Sequence, residues 1–244
     1  MDMFLFVLII LFSCFFHGIT GFGVALFAVP LGLLFLDKIT VMVALPFLSI
    51  FLNAFLVKKI DASADMPRIT LMLLGSLCGM PIGIYLLRIV PIGYLQIVAG
   101  SVSILFAVLI FSQKIKLSTN RTTAVFIGWL SGLLQTSIAM SGPPVAMLIA
   151  STCEDKNKIR KNLVIFFMLM TGLSFLMFCL SDVPVSTGMT FGLVSLPFAL
   201  LGAFLGDKAV HYISKDTFVN LAFIVICLTG AYTAYVGVTL ESVP

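Results

Sequence analysis

His17 is the one ionisable side chain deep inside an apolar stretch of this chain. An imidazole changes charge near neutral pH, and an ionisable group within a membrane-type segment is a functional candidate by default. His17 opens an interruption that reads His17-Gly18-Ile19-Thr20-Gly21-Phe22-Gly23, with Pro30 seven residues on. A second interruption reads Gln135-Thr136-Ser137-Ile138-Ala139-Met140-Ser141-Gly142-Pro143-Pro144. Between them these stretches offer hydroxyls, an amide, an imidazole and bare backbone, but no lysine or arginine. That donor set suits a small anion. The first N–H groups of a helix that restarts after a break have no internal partner and carry the positive end of the helix dipole, and such termini bind anions. Ser141 is placed to cap the second restart, and Pro144 suits a first-turn position because its missing N–H would have been unpaired anyway. Gly21, Gly23 and Gly142 let a ligand approach the backbone. The candidate binding set is therefore His17, Thr20, Gly21, Phe22, Gly23, Gln135, Thr136, Ser137, Ser141, Gly142 and Pro143. Asn53, in the next apolar segment, joins it at a depth where it could face the site.

Each of these residues also has a plainer reading. The glycines could serve only to let helices pack. His17 could stay neutral and hydrogen-bonded instead of carrying a coupling proton. Asn53 could make a structural bond between helices, and His211, beside Lys208 and Lys215, reads as a solvated loop residue.

The elements that must position these residues follow from the same interruptions. Each lies near the middle of a stretch without Lys, Arg, Asp or Glu, residues 3–36 and 122–152. Glycine and paired prolines do not continue a regular helix, because one adds backbone freedom and the other removes an N–H and clashes with the preceding turn. In lipid a broken helix is tolerated only where the freed backbone is buried in protein or lines a cavity. Interrupted segments at corresponding places in two halves are the best sequence pointer to a transporter's site.

The 244 residues are 61% hydrophobic and 10% charged, against about 25% charged in an average soluble chain. The charges fall at the ends of apolar runs or between them. This is the composition of an integral membrane protein whose partner is the lipid bilayer, with no room for a soluble catalytic, nucleotide-binding or nucleic-acid-binding domain. The N-terminus, Met1-Asp2-Met3, lacks the basic region of a signal peptide and its apolar run is too long, so a retained membrane segment is expected. Cys14, Cys78, Cys179 and Cys227 fall inside apolar spans and Cys153 in a basic loop. All five read as packing thiols, and no C-x-x-C pair points to metal or redox work. No metal and no cofactor is expected.

The apolar segments run over 3–36, 39–57, 69–87, 92–112, 122–151, 162–180, 187–206 and 218–239. Six have the length of one crossing, about 20 residues. The first and fifth are longer and interrupted. If all eight cross once, lysines and arginines divide almost evenly between the two sides. If the first and fifth are hairpins, one side holds Lys58, Lys59, Arg68, Lys114, Lys116, Arg121, Lys156, Lys158, Arg160, Lys161, Lys208 and Lys215, and the other only Lys38 and Arg88. Cytoplasmic loops carry the excess of lysine and arginine, so the hairpin arrangement is expected, with both termini on the non-cytoplasmic side.

That arrangement gives an all-α polytopic membrane protein of two inverted-topology repeats, each a broken-helix hairpin plus three transmembrane helices. The first repeat covers 1–112, a cytoplasmic linker 113–121 and the second repeat 122–244. Leu77-Cys78-Gly79-Met80-Pro81-Ile82-Gly83 is similar to Leu200-Leu201-Gly202-Ala203-Phe204-Leu205-Gly206, a shift of 123 residues, and Gly23 pairs with Gly142 at a similar shift. Gly75, Gly79 and Gly83 recur every four residues, as do Gly202 and Gly206. Each series makes a smooth helix face that a neighbouring backbone can approach.

Gly18-Ile19-Thr20-Gly21-Phe22-Gly23, followed by Ala28-Val29-Pro30, resembles the first-repeat motif of the TauE/SafE family of membrane transporters. Ser141-Gly142-Pro143-Pro144 resembles that family's second-repeat motif, and the resemblance covers nearly the whole chain. It implies export or uptake of sulfur-containing anions such as sulfite and sulfonated organic acids. Gln135, Thr136 and Ser137 stand where the family's second break could hold a glycine cluster.

Residues and resemblance together lead to an expected function: a secondary transporter for a small anion, sulfur-containing or carboxylate-bearing, working by alternating access, with His17 as candidate carrier of a coupling proton. A passive anion channel and a membrane scaffold without flux are the rival readings. No enzyme is expected. There is no G-x-x-x-x-G-K-[ST] phosphate loop for direct use of ATP. No span holds a pair of carboxylates, and neither Ser137 nor Ser141 lies in a Gly-x-Ser-x-Gly context.

Overall fold

Four aspartate or asparagine residues fix where helices begin. Asp37, Asp65, Asn120 and Asp155 each accept the backbone N–H three residues on, from Thr40, Arg68, Thr123 and Lys158. Each thereby satisfies one of the donors a helix start leaves open. The computed structural model describes residues 2–20, 23–112, 118–152, 155–209 and 215–242. Its helices are α1 (Asp2–Thr20), α2 (Val24–Gly32), α3 (Lys38–Lys59), α4 (Met66–Ile89), α5 (Ile92–Ser112), α6 (Arg121–Ile138), α7 (Gly142–Ala150), α8 (Lys156–Leu180), α9 (Ser186–Ala209) and α10 (Lys215–Ser242). There is no strand among the described residues.

The long helices outrun the apolar segments that announced them. Segment 39–57 becomes Lys38–Lys59 and 162–180 becomes Lys156–Leu180. The polar caps lie outside the apolar run, and lysine and arginine stems extend a helix readily. Five helices, including α3, α4, α8 and α9, are long and apolar enough to cross a membrane. Their outer faces carry bare apolar side chains such as Phe4, Phe51, Leu74, Leu180 and Leu201. A soluble domain does not present such a surface over every side, whereas lipid covers it at no cost.

Each interrupted segment breaks into two helices that pack on each other, α1 on α2 and α6 on α7. Phe27 of α2 stacks on Phe16 and meets Phe12 edge-on, which lays α2 back along α1. Side-chain contacts fix the ends. Lys161 Nζ donates to Val57 O (2.7 Å) and Ile60 O (2.9 Å), and Asn162 Oδ1 accepts from Asp65 N (2.7 Å). Lys59 and Arg160 both reach Asp207. The α3–α4 loop, the start of α8 and the end of α9 therefore share one end of the bundle. Lys38 Nζ donates to Val90 O, and Arg88 lies 3.9 Å from Asp182, so Lys38 and Arg88 share the opposite end.

The helices pack in pairs, α4 on α6, α1 on α9, α5 on α10 and α3 on α8. Each pair is matched by another, or maps to itself, when the helix number is shifted by five. Close approach is set by small residues. A Cβ on Gly75 or Gly79 would overlap the carbonyls of Val125 or Trp129 in α6, and one on Gly202 or Gly206 would overlap those of Leu11 or Phe15 in α1. The glycine rows are thus buried backbone-to-backbone seams. Of the cysteines, Cys14 is buried and Cys78 and Cys179 are exposed; Cys153 and His211 lie outside the described residues.

Candidate functional site

The chain leaves α1 and re-enters helix at Gly23, whose φ of 107° and ψ of 0° are open to glycine and strained for any side chain. Leu26 N makes the first intrahelical bond of α2, to Gly23 O, so the N–H groups of Val24 and Ala25 precede the ladder. At the other break α6 ends on Ala139, at φ 55°. Ala139 N bonds Gln135 O and Met140 N bonds Leu134 O, the pattern of a left-handed helix stop. Holding a non-glycine residue there costs about 1–2 kcal/mol. α7 then begins at Gly142.

These two tips meet at one cavity of about 50 Å³, several times the roughly 10–15 Å³ one water needs. His17, Gly23, Val24 and Ala25 line it from the first interrupted segment, and Gln135, Ala139, Ser141 and Gly142 from the second. Leu45, Ser49 and Asn53 from the middle of α3, with Phe167 and Thr171 from the middle of α8, complete the wall. Among the described lining residues none is Lys, Arg, Asp or Glu. His17 is 3% exposed and Asn53 1%. Neither ring nitrogen of His17 makes a well-formed hydrogen bond, nor does Asn53 Oδ1; the two side chains face each other without good bonding geometry. Buried polar atoms are almost always paired, so this concentration around one cavity marks it as a place where a ligand can complete the pairing.

Several sequence expectations need correction in geometry. Ser141 occupies the position before α7 but makes no capping bond. Its hydroxyl donates instead to Gln135 Oε1 at 2.6 Å. Two causes combine: Ser141 has helical angles, φ −81° and ψ −13°, and the two residues after Gly142 are prolines with no N–H to cap. Thr136 does not face the cavity. Its hydroxyl donates to Met80 O (2.8 Å) and Gly132 O (3.1 Å), inside the α4–α6 seam. The Ser137 hydroxyl turns back to Leu133 O. Asn53 Nδ2 donates to Ser49 O in its own helix, and its side chain also lies within hydrogen-bonding reach of His17 in α1. Gly21 and Phe22 lie outside the described residues, as do the side chains of Thr20 and Pro143.

Leu45, Ser49, Phe167 and Thr171 went unrecognised in the sequence. Leu45, Ser49 and Asn53 are spaced by four, one stripe of a helix, and so are Phe167 and Thr171. A polar residue four before Asn53 was the available signal. Ser49 and Thr171 otherwise look like ordinary intrahelical hydroxyls, and Thr171 does bond back to Phe167 O.

No curated protein and no solved structure matches the chain significantly. A family model described as Sulfite exporter TauE/SafE matches residues 5–233, nearly the whole length, and the chain belongs to that family of membrane transport proteins.

Proposed function

We propose that the protein is a secondary transporter that moves a small anion, sulfur-containing such as sulfite or a sulfonate, or carboxylate-bearing, across the cytoplasmic membrane by alternating access. The observation that carries this reading is the cavity where the starts of α2 and α7 meet the ring nitrogens of His17. An anion there finds the positive ends of two helix dipoles and neutral donors, without a lysine or arginine to trap it. A transported ion must leave as well as bind, so a site of neutral donors suits passage.

The two halves act as inverted repeats that rock about the cavity. Supporting this, counterpart helices run oppositely. In α3 and α8, Val57 lies by Lys161 and Phe47 by Phe175. In α5 and α10, Gly93 lies by Glu241 and Gly100 by Gly230. The lysine- and arginine-rich end faces the cytoplasm by the positive-inside rule, with both termini opposite. His17 is the candidate for a coupling proton.

Flux of radiolabelled sulfite into proteoliposomes tests the site. Gly23→Val and Gly142→Val, once shown to insert and to run as the wild type on size exclusion, abolish binding at the cavity and abolish transport. Normal flux in both well-folded variants puts the site elsewhere. Orientation is tested by impermeant thiol labelling of single cysteines in intact cells. Position 182 labels from outside and position 156 does not; the reverse overturns the topology.

A further inference from the structure

We propose a second anion station at the lysine-rich end of the bundle, built on Arg160, where the Asp207 carboxylate is an internal stand-in for the passing anion. This rests on the reading of the His17 cavity as the primary anion site.

Arg160 lies in the first turns of α8 and points at the end of α1. Its Nη2 donates to Gly18 O at 2.8 Å, one residue from His17, and to Asp207 Oδ1 at 3.1 Å. The Arg160 and Asp207 side chains are only 16% and 22% exposed. A guanidinium offers parallel N–H groups that fit two oxygens of one oxyanion. Here the carboxylate takes Nη2, while Nε is buried with no acceptor. The fork is occupied in part, and the donor left over is the one an oxyanion with two free oxygens would use.

The surroundings carry surplus positive charge. Lys59 Nζ lies 3.7 Å from Asp207 Oδ2, and both Lys59 and Lys208 lie over the ring of Phe204. An aromatic face holds a cation in place without neutralising it. Two cations, Arg160 and Lys59, thus share one carboxylate, and Lys208 stands beside them over the ring that also holds Lys59. Lys161 is turned away, with its ammonium on Val57 O and Ile60 O. An anion that passes the Gly18 turn from the cavity meets the Arg160 fork first. Sulfite, a sulfonate or a carboxylate, each with two free oxygens, takes Nε and Nη2 while Asp207 moves onto Lys59. When the anion goes on to solvent, Asp207 returns to Arg160 and closes the way behind it. A purely structural staple between α1, α8 and α9 would leave anion binding indifferent to the charge of Asp207.

The test is thermal stabilisation of the purified full chain by sulfite at constant ionic strength. Asp207→Asn removes the stand-in and lowers the half-maximal sulfite concentration at least threefold. Adding Arg160→Gln cancels that gain. An unchanged or weakened response in Asp207→Asn, or a gain that survives Arg160→Gln, overturns the proposal. Lys59→Gln covers the case in which Asp207→Asn does not fold. It leaves Asp207 wholly to Arg160 and weakens the sulfite response at least twofold, and no change overturns the station. Gly142→Val separates the two sites. The Asp207→Asn gain persists with the cavity blocked, and its loss there overturns an independent station. A Gly142→Val protein that responds as the wild type defeats the cavity reading while leaving the Asp207→Asn result to judge Arg160.

Discussion

The two tips do the same topological work with opposite chemistry. The first turns on Gly23 at φ 107°. It brings the N–H groups of Val24 and Ala25 to the start of α2, beside a histidine with neither nitrogen in a well-formed hydrogen bond. The second turns on Ala139 and is already satisfied. The Ser141 hydroxyl is spent on Gln135, and Pro143 and Pro144 remove two of the N–H groups a helix start would offer. One tip is donor-rich and incomplete; the other is closed on itself. Two halves with the same order of elements therefore need not share a ligand equally. In the proposed site the first tip offers the open donors, and the second offers a wall whose polar groups are paired with one another.

The largest effect that can break this comparison is expected at Gly23. A valine there meets both the left-handed backbone and the cavity, so binding at the cavity and flux are lost in Gly23→Val. Gly142→Val only fills space and is rescued in part by Gly142→Ala, whereas Gly23→Ala remains at least tenfold impaired in sulfite flux. Equal behaviour of the two alanine variants would erase the asymmetry. His17→Gln comes next. It keeps an amide donor but no proton, so flux driven by a pH gradient stops while substrate counterflow continues. Unchanged pH dependence in His17→Gln vesicles reduces His17 to a packing residue.

Ser141→Ala sharpens the second tip. It leaves Gln135 Oε1 buried without its donor, and weakens binding and stability modestly, by about 1 kcal/mol, read as a several-fold rise in half-maximal sulfite. The smallest effect belongs to Ala139→Gly. It relieves a left-handed alanine and raises the melting temperature by the equivalent of about 1 kcal/mol, with flux within twofold of wild type. A large loss of flux there would mean that strain at the second tip is part of the mechanism.

The two halves also differ in how far their sequence announced them. His17, Gly23, Gln135, Ser141 and Gly142 were legible because each breaks a long apolar run, where a polar or helix-breaking residue is costly and so conspicuous. Thr136 and Ser137 carried the same signal and point elsewhere, into the α4–α6 seam or back onto their own helix. A hydroxyl in a helix can always satisfy itself on the preceding turn, so its presence in a span says little about where it faces. Arg160 looked like an ordinary loop charge, and Asp207 drew no notice. Nothing within 142 residues of chain separation hinted that Arg160 reaches the carbonyl of Gly18.

Sequence alone determined the class and the outline of this protein. Apolar length, broken runs and lopsided charge demand helices in lipid, with breaks in the two longest runs, because the bilayer penalises unpaired backbone and misplaced charge strongly and locally. Only the tertiary structure decided which polar groups share a space. Leu45, Ser49 and Asn53 of α3 and Phe167 and Thr171 of α8 join the tips at one cavity because α3 packs on α8 and the tips pack between them. Those neighbours are set by small-residue seams and side-chain volume, terms summed over many weak contacts that no single residue type records.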